Sequence, residues 1–274
     1  MTDPQVKYVV EDDGTLESYE VPSPESSCPK PNWGEDTFYT AQLKKKRAWT
    51  AGPITAGELR PGGEDVVKRA LSLRILEIPV GNFVKEATKG DLPKVNGVKE
   101  VLLSNIDDED KHDIALNHAA AVIDCSKYER EAEVIKKAWL DLDRHPILKT
   151  VVIERSVFFV LLPIFRYLGS VGLRKQAAEI SRDEVIHTSV GSKICTDLNL
   201  QGDKQLNALR RATVAWVVDS LHGQSDDKFL SKDFWQNNSK NLYYTGQAPD
   251  LVETRASRMP AFFETNAIDL PQYI

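Results

Sequence analysis

The chain has no long apolar run. Its most hydrophobic stretch, VFFVLLPIF at 157–165, is bounded by Arg155 and Arg166 and falls well short of the roughly 20 residues needed to cross a bilayer. No membrane partner is therefore expected. The N-terminal stretch MTDPQVKYVVEDDGTLESYE is acidic and lacks the apolar core of a secretory signal. Cysteine is scarce: Cys28, Cys125 and Cys195 have neither the spacing of metal ligands nor the density of a disulfide framework, which suits a reducing, cytoplasmic setting. Cys195 reads as a small core residue. Basic charge is not in excess either. A net charge of -6 and a pI of about 5.5 argue against a nucleic-acid partner, which needs a basic face. The one basic cluster, Lys44, Lys45, Lys46 and Arg47, reads as solvated surface.

What remains is the composition of an ordinary globular protein, 41% hydrophobic and 28% charged over 274 residues, enough for one large domain with appendages. Residues 1–62 read as an N-terminal arm, with a short strand at KYVV and a short helix over 36–49. Residues 63–240 read as a helical domain, and 241–274 as a C-terminal tail. Within the domain, apolar residues recur at three and four, predicting core helices over about 63–86, 98–123, 147–168 and 172–197. A charged peripheral helix is expected over 126–143, a fifth amphipathic helix over 206–223, and a shorter one near 226–238. Pro79 and Pro163 should each bend the helix that contains them. The fold class expected is all-α, a four-helix bundle core with additional peripheral helices.

Against this pattern certain polar residues stand out. Glu184 and His187, in ISRDEVIHTSVG, are three apart and so share a helix face. Glu109 and His112, in IDDEDKHDIALNHAA, repeat the spacing. Glu77 lies in phase with Leu73, Val80 and Val84, and Glu154 interrupts the apolar VVIERSVFFVLL. A carboxylate on a core stripe must be paired, protonated or metal-bound. Taken singly, each residue has a plainer reading: Glu109 sits in an acidic run that suits a solvated face, and Glu154 could pair with an arginine. Asp113 and His118 are rivals to His112 without its phase, Glu64 and Glu86 are helix-end residues, and His145 and His222 read as surface or capping groups. Taken together, the order is one glutamate, one Glu-x-x-His, one glutamate, one Glu-x-x-His, at intervals of 32, 45 and 30 residues. That is the ligand pattern of a two-metal site in a ferritin-like bundle, with the longest connection between the second and third helices. Glu77, Glu109, His112, Glu154, Glu184 and His187 are the expected ligands, the four glutamates being the catalytic carboxylates. Carboxylate with imidazole suits two iron ions, or a manganese–iron pair.

The segment Arg182-Asp183-Glu184-Val185-Ile186-His187 is an R-D-E-x-x-H motif, and Glu154 is followed four residues later by Phe158. On these residues the chain, over about 64–195, resembles the ferritin-like diiron-carboxylate superfamily, specifically its ribonucleotide-reductase-small-subunit-like branch. The resemblance implies that Asp183 hydrogen-bonds His112, the histidine of the other pair. The chain departs from those small subunits in two places. Leu116 stands where they carry their radical tyrosine, and Glu77 stands where aspartate is usual. A tyrosyl radical in the usual place is thereby excluded, and Tyr167 is too far along its helix to replace it.

The function expected is dioxygen activation at a non-haem diiron centre, oxidising a small organic substrate with electrons from a donor. Val80, Leu116, Phe158 and Leu162 would form the apolar lining of its pocket. The alternatives are a tyrosine-less ribonucleotide reductase small subunit and an iron-storage or iron-buffering protein. A homodimer is expected by analogy.

Overall fold

The structure, a computed structural model, describes residues 36–245 together with the backbone of two strands. Cys28, most of the arm outside those strands, and the tail beyond 245, including Tyr273, lie outside the described residues. By contact the chain divides into two units, Met1–Phe38 and Tyr39–Ile274. In the first, β1 (Gln5–Val10) pairs antiparallel with β2 (Leu16–Val21), Val10 opposite Leu16. The expected strand at KYVV thus has a partner. Asp13-Gly14, a hairpin signal in the sequence between them, is the cue that would have found it.

The second unit is helical among its described residues: α1 (Phe38–Lys45), α2 (Glu64–Ser72), α3 (Glu77–Ala87), α4 (Val98–Ala120), α5 (Ser126–Asp141), α6 (Pro146–Ile153), α7 (Phe159–Leu168), α8 (Val171–Asp197), α9 (Lys204–Val217) and α10 (Lys232–Thr245). Four rods make the core: α2 with α3, α4, α6 with α7, and α8. The α2–α3 rod lies against both α4 and the α6–α7 rod, and α8 lies against α4 and the α6–α7 rod, closing a ring of four. The all-α bundle expected from the periodicity, ferritin-like as the order of the glutamates and histidines implies, is the one observed among the described residues of this unit. Among the described residues, no helix is long and apolar enough to cross a membrane.

Local chemistry sets the helix ends. Glu64 and Asp65 place negative charge in the first turn of α2, where it meets the positive end of the helix dipole. Pro146 opens α6, where its missing N–H costs no bond. The Ser170 and Asp203 side chains accept from Leu173 and Leu206 to cap α8 and α9. Gly97, with φ of 87°, precedes α4 in the left-handed region open to glycine. A Cβ there would also sit 2.9 Å from the Thr40 backbone nitrogen.

Both core rods containing proline are irregular, though not at the proline. In the first, a 3-10 turn over Leu73–Leu76 immediately precedes Glu77. Pro79 has no N–H to offer the Ile75 carbonyl. In the other, Glu154–Phe158 forms a π turn and the helix then runs unbroken through Pro163. The Ser156 hydroxyl donates to the Val152 carbonyl, and the Ser156 carbonyl accepts from Ser239 at 2.6 Å. Arg155 Nε reaches the Leu242 carbonyl at 3.2 Å. The Ser239 bond gives the Ser156 carbonyl of the widened turn a donor from α10, and the Arg155 side chain ties the same turn to the α10 backbone. Each irregular turn adjoins or contains one of the isolated glutamates.

The fifth helix ends earlier than its periodicity predicts. α9 stops at Val217, and Arg69 Nη1 donates to the carbonyl of Trp216 in its last turn at 3.0 Å. His222 is exposed, and its carbonyl accepts from the Lys232 N–H. The last helix starts later than expected, after a 3-10 turn over Lys228–Leu230 capped by Asp227.

At Gly191 in α8, a Cβ would lie 2.5 Å from Val151 Cγ2 in α6. Valine is stiff at χ1 in a helix, so it cannot swing aside. Gly191→Ala should cost about 1–3 kcal/mol through overpacking, read as a lowered denaturation midpoint against the parent chain.

Candidate metal centre

All six residues singled out by the pattern converge. Glu77, Glu109, His112 and Glu184 each present an atom within 4.8 Å of the others, and so do Glu109, Glu154 and His187. Glu109 belongs to both groups. Its Oε2 lies 3.8 Å from His112 Nδ1 and its Oε1 2.9 Å from His187 Nδ1. Glu184 is divided in the same way, Oε1 3.3 Å from His112 Nδ1 and Oε2 3.7 Å from His187 Nδ1. Glu77 approaches only His112, at 3.7 Å, and Glu154 only His187, at 3.8 Å. The arrangement is thus symmetric: each imidazole has one glutamate of its own and shares two others. The ring centroids of the histidines are 5.6 Å apart. None of the six residues is more than 2% exposed.

The outer faces of the histidines are held alike. His112 Nε2 lies 3.3 Å from Asp183 Oδ2, and His187 Nε2 lies 3.2 Å from Asp108 Oδ2. With a metal ion on each Nδ1, which faces the glutamates, each Nε2 would carry the proton and donate outward to its aspartate. Each aspartate crosses to the histidine of the opposite helix, tying α4 to α8 on both sides of the site.

Asp108 is the residue the sequence reading missed. Both motifs are D-E-x-x-H, Asp108-Glu109-x-x-His112 and Asp183-Glu184-x-x-His187. The internal repeat was the available signal, obscured by the acidic run around Asp108. Lys46 is a second miss. It belongs to the basic cluster read as solvated surface, yet its ammonium pairs with Asp108, as Lys111 does at 2.7 Å. Trp49 Nε1 donates to Asp183 at 2.6 Å.

Electrostatics separates the inner from the outer carboxylates. Burial, chiefly, raises the pKa of Glu77, Glu109 and Glu154, reinforced by the neighbouring glutamates. At Asp108 burial also acts upward, but hydrogen bonds from His187, Lys111 and Lys46 outweigh it and hold the carboxyl well below its ordinary range. Asp183 is likewise lowered against the pull of burial, by His112 and Trp49. His112 is raised: burial opposes its charge, and Asp183, Glu184 and Glu77 more than compensate.

The donor set fits a pair of metal ions. Glu77 Oε2, both oxygens of Glu109, Glu154 and Glu184, and Nδ1 of both histidines are buried with no hydrogen-bond partner. Even the 2.9 Å approach of Glu109 to His187 is not aligned as a hydrogen bond. Unpaired buried carboxylates cost several kcal/mol each, and divalent cations among them would remove that cost. Gly81 leaves room beside Glu109, whose Cβ would lie 3.3 Å from a Cβ at that position. Val80, Leu116, Phe158 and Leu162 are all buried, none more than 3% exposed. Tyr167 stacks on Phe229 at 4.1 Å, and Cys195 is a buried thiol pushed up to about 12 by burial and by the charge of Glu154.

No protein-family model matches the chain. In fold it is similar to a Bacillus halodurans protein provisionally assigned as a class I ribonucleotide reductase, with a TM-score of 0.51 at 11% identity, covering 84% of this chain and 95% of that one. At that identity the likeness is one of fold alone. In sequence it is 26% identical over 149 residues to FapD of Pseudomonas fluorescens, provisionally assigned as a functional amyloid protease. That match covers 51% of this chain and spans 59% of the relative's length.

Asp108→Asn should weaken metal binding about 10–100-fold, the range found when such outer partners are lost, as measured by competition with a chelator. In the metal-free protein the raised glutamates and His112 all favour the protonated form. Their stabilising contribution is therefore present at low pH, and is lost for the glutamates as pH rises above the ordinary carboxylate range and for His112 as pH rises above the ordinary histidine range. Chelator-treated protein should lose stability from weakly acidic to neutral pH, and ferrous or manganous ion should restore about 2.7 kcal/mol at a hundredfold excess over its dissociation constant. A metal-free protein that instead gains stability over that interval would contradict the assignment of the glutamates as uncompensated.

Proposed function

We propose that this protein is a non-haem diiron oxidoreductase that activates dioxygen to oxidise a small organic substrate. The observation that carries the proposal is the paired ligand set. Two histidines each have a private glutamate and share Glu109 and Glu184, with donor atoms buried and unpaired. Bound iron would supply the electrons and Lewis acidity for dioxygen reduction. Glu77 and His112 would hold one ion, Glu154 and His187 the other, and Glu109 and Glu184 would span both. Asp183 and Asp108 fix the histidine tautomers.

The remaining residues exclude water and quenching groups. Val80, Leu116, Phe158 and Leu162 give the site apolar neighbours. Leu116 lies one helical turn beyond His112, where an aromatic hydroxyl would be an oxidisable group. Such a lining favours attack on a C–H bond or amine over export of a hole. For hydroxylation, one oxygen atom enters the C–H bond and the other leaves as water. The balancing two electrons and two protons come from an external donor.

The fold likeness to the Bacillus halodurans protein supports a second reading, a tyrosine-less small subunit that serves a larger catalytic partner. It predicts nucleotide reduction dependent on that partner. Protease chemistry, suggested by the FapD name, finds no cysteine nucleophile among the described residues: burial raises the thiols of Cys125 and Cys195, whereas a cysteine nucleophile needs a lowered pKa.

Iron-loaded, reduced protein exposed to labelled dioxygen and candidate metabolites should yield a product carrying one labelled oxygen, identified by mass spectrometry. It should bind two irons per chain, and Glu109→Ala should lower both the iron content and the product yield. Dioxygen uptake that ends in ferric mineral, with no organic product, would replace the oxygenase reading with iron storage.

A further inference from the structure

Away from the metal centre, α9 and α10 border an open cleft with a cavity of about 310 Å³ lined by Arg210, Arg211, Val214, Gln236, Asn237 and Lys240. The ionisable groups lining it are all cations. Arg210 is 2% exposed, and no carboxylate among the described residues lies within ion-pair distance of it, of Arg211 or of Lys240. A buried cation normally has an anionic partner. Arg210 has only neutral ones: Nε and Nη2 donate to Asn207 Oδ1 at 3.0 and 2.7 Å, Nη1 donates to Ser239 Oγ at 2.6 Å, and the guanidinium lies 5.3 Å from the centre of the Tyr243 ring. A guanidinium has five N–H donors. Three are used, which leaves one on each terminal nitrogen.

We infer that this cavity is a binding site for a small phosphate-bearing ligand, seated on Arg210 and enclosed by Arg211 and Lys240. Three cations without a counter-charge among the described residues match a multiply charged oxyanion better than a monocarboxylate. The planar guanidinium suits two oxygens of one phosphate. The Gln236 and Asn237 amides can meet a polar substituent on the ligand, and Val214 its apolar part. Burial and the neighbouring Arg211 lower the Arg210 pKa to about 10, the direction expected of a cation lacking its anion. The site uses none of the residues at the metal centre, and stands whether or not the oxidoreductase reading does.

Arg210 is a poor residue to mutate first, because Ser239, which accepts from it, donates in turn to the Ser156 carbonyl of the π turn. Arg211 and Lys240 are exposed and can be changed without disturbing that chain. The test is calorimetric titration of the full-length protein with inorganic phosphate and with pyrophosphate, against chloride and acetate at matched ionic strength. Saturable binding of the phosphates alone is expected. The Arg211→Gln, Lys240→Gln double variant should bind about 100-fold more weakly, two charge-assisted bonds each contributing at least tenfold, with circular dichroism and metal content unchanged. Absence of saturable binding would overturn the inference. So would equal affinity in the double variant, which would assign any binding to the metal centre or elsewhere.

Discussion

Four glutamates and two histidines meet in the interior with no lysine or arginine among the described residues beside the glutamates, and this charge imbalance constrains the whole bundle. Glu77, Glu109, Glu154 and Glu184 are each 2% exposed or less. Left alone, such carboxylates protonate or repel, and the raised pKa of Glu77, Glu109 and Glu154 expresses that pressure. The lysines that might have neutralised them go elsewhere. Lys46 and Lys111 pair with Asp108 on the outer side of the histidines. Among the described residues, the protein thus balances its outer carboxylates with its own lysines and gives the inner ones none.

The separation is achieved by helix geometry. In D-E-x-x-H, glutamate and histidine share a face, while the preceding aspartate is rotated about 100° from the glutamate. Asp108 and Asp183 therefore reach across to the histidine of the opposite helix. Because the exchange is reciprocal, a shift of α4 along α8 would break both histidine bonds at once. Trp49 and Lys46, supplied by the segment after α1, close the ring from outside.

The glutamates without a histidine in their motif sit at interruptions of their helices. Glu77 begins α3 directly after a 3-10 turn, and Glu154 begins a π turn. Such departures from α geometry are common at functional sites. Here they turn side chains that a regular helix would aim differently. The Ser156 carbonyl of the widened turn is held by Ser239 of α10. A peripheral helix therefore contributes to the shape of the site without lending it a ligand.

Much of this was legible in the chain itself. Apolar spacing marked the four core rods to within a few residues, and the recurrent Glu-x-x-His with two glutamates on apolar stripes picked out the six residues that converge. Both follow from the helical period, which is a local property. Other features depended on which helices become neighbours. Asp108 looked like one more acid in a solvated run until α8 placed His187 beside it. Lys46 looked like a surface lysine until the segment after α1 brought it against Asp108. The bond from Arg69 to the last turn of α9 joins two separate helices, and that Arg210 has no carboxylate partner among the described residues depends on what α10 brings to it. The sequence by itself determined which residues could share a helix face, because 3.6 residues per turn is fixed by the backbone. Only the tertiary structure decided which charges are neutralised within the protein and which are not, because that balance depends on contacts between residues far apart in the chain.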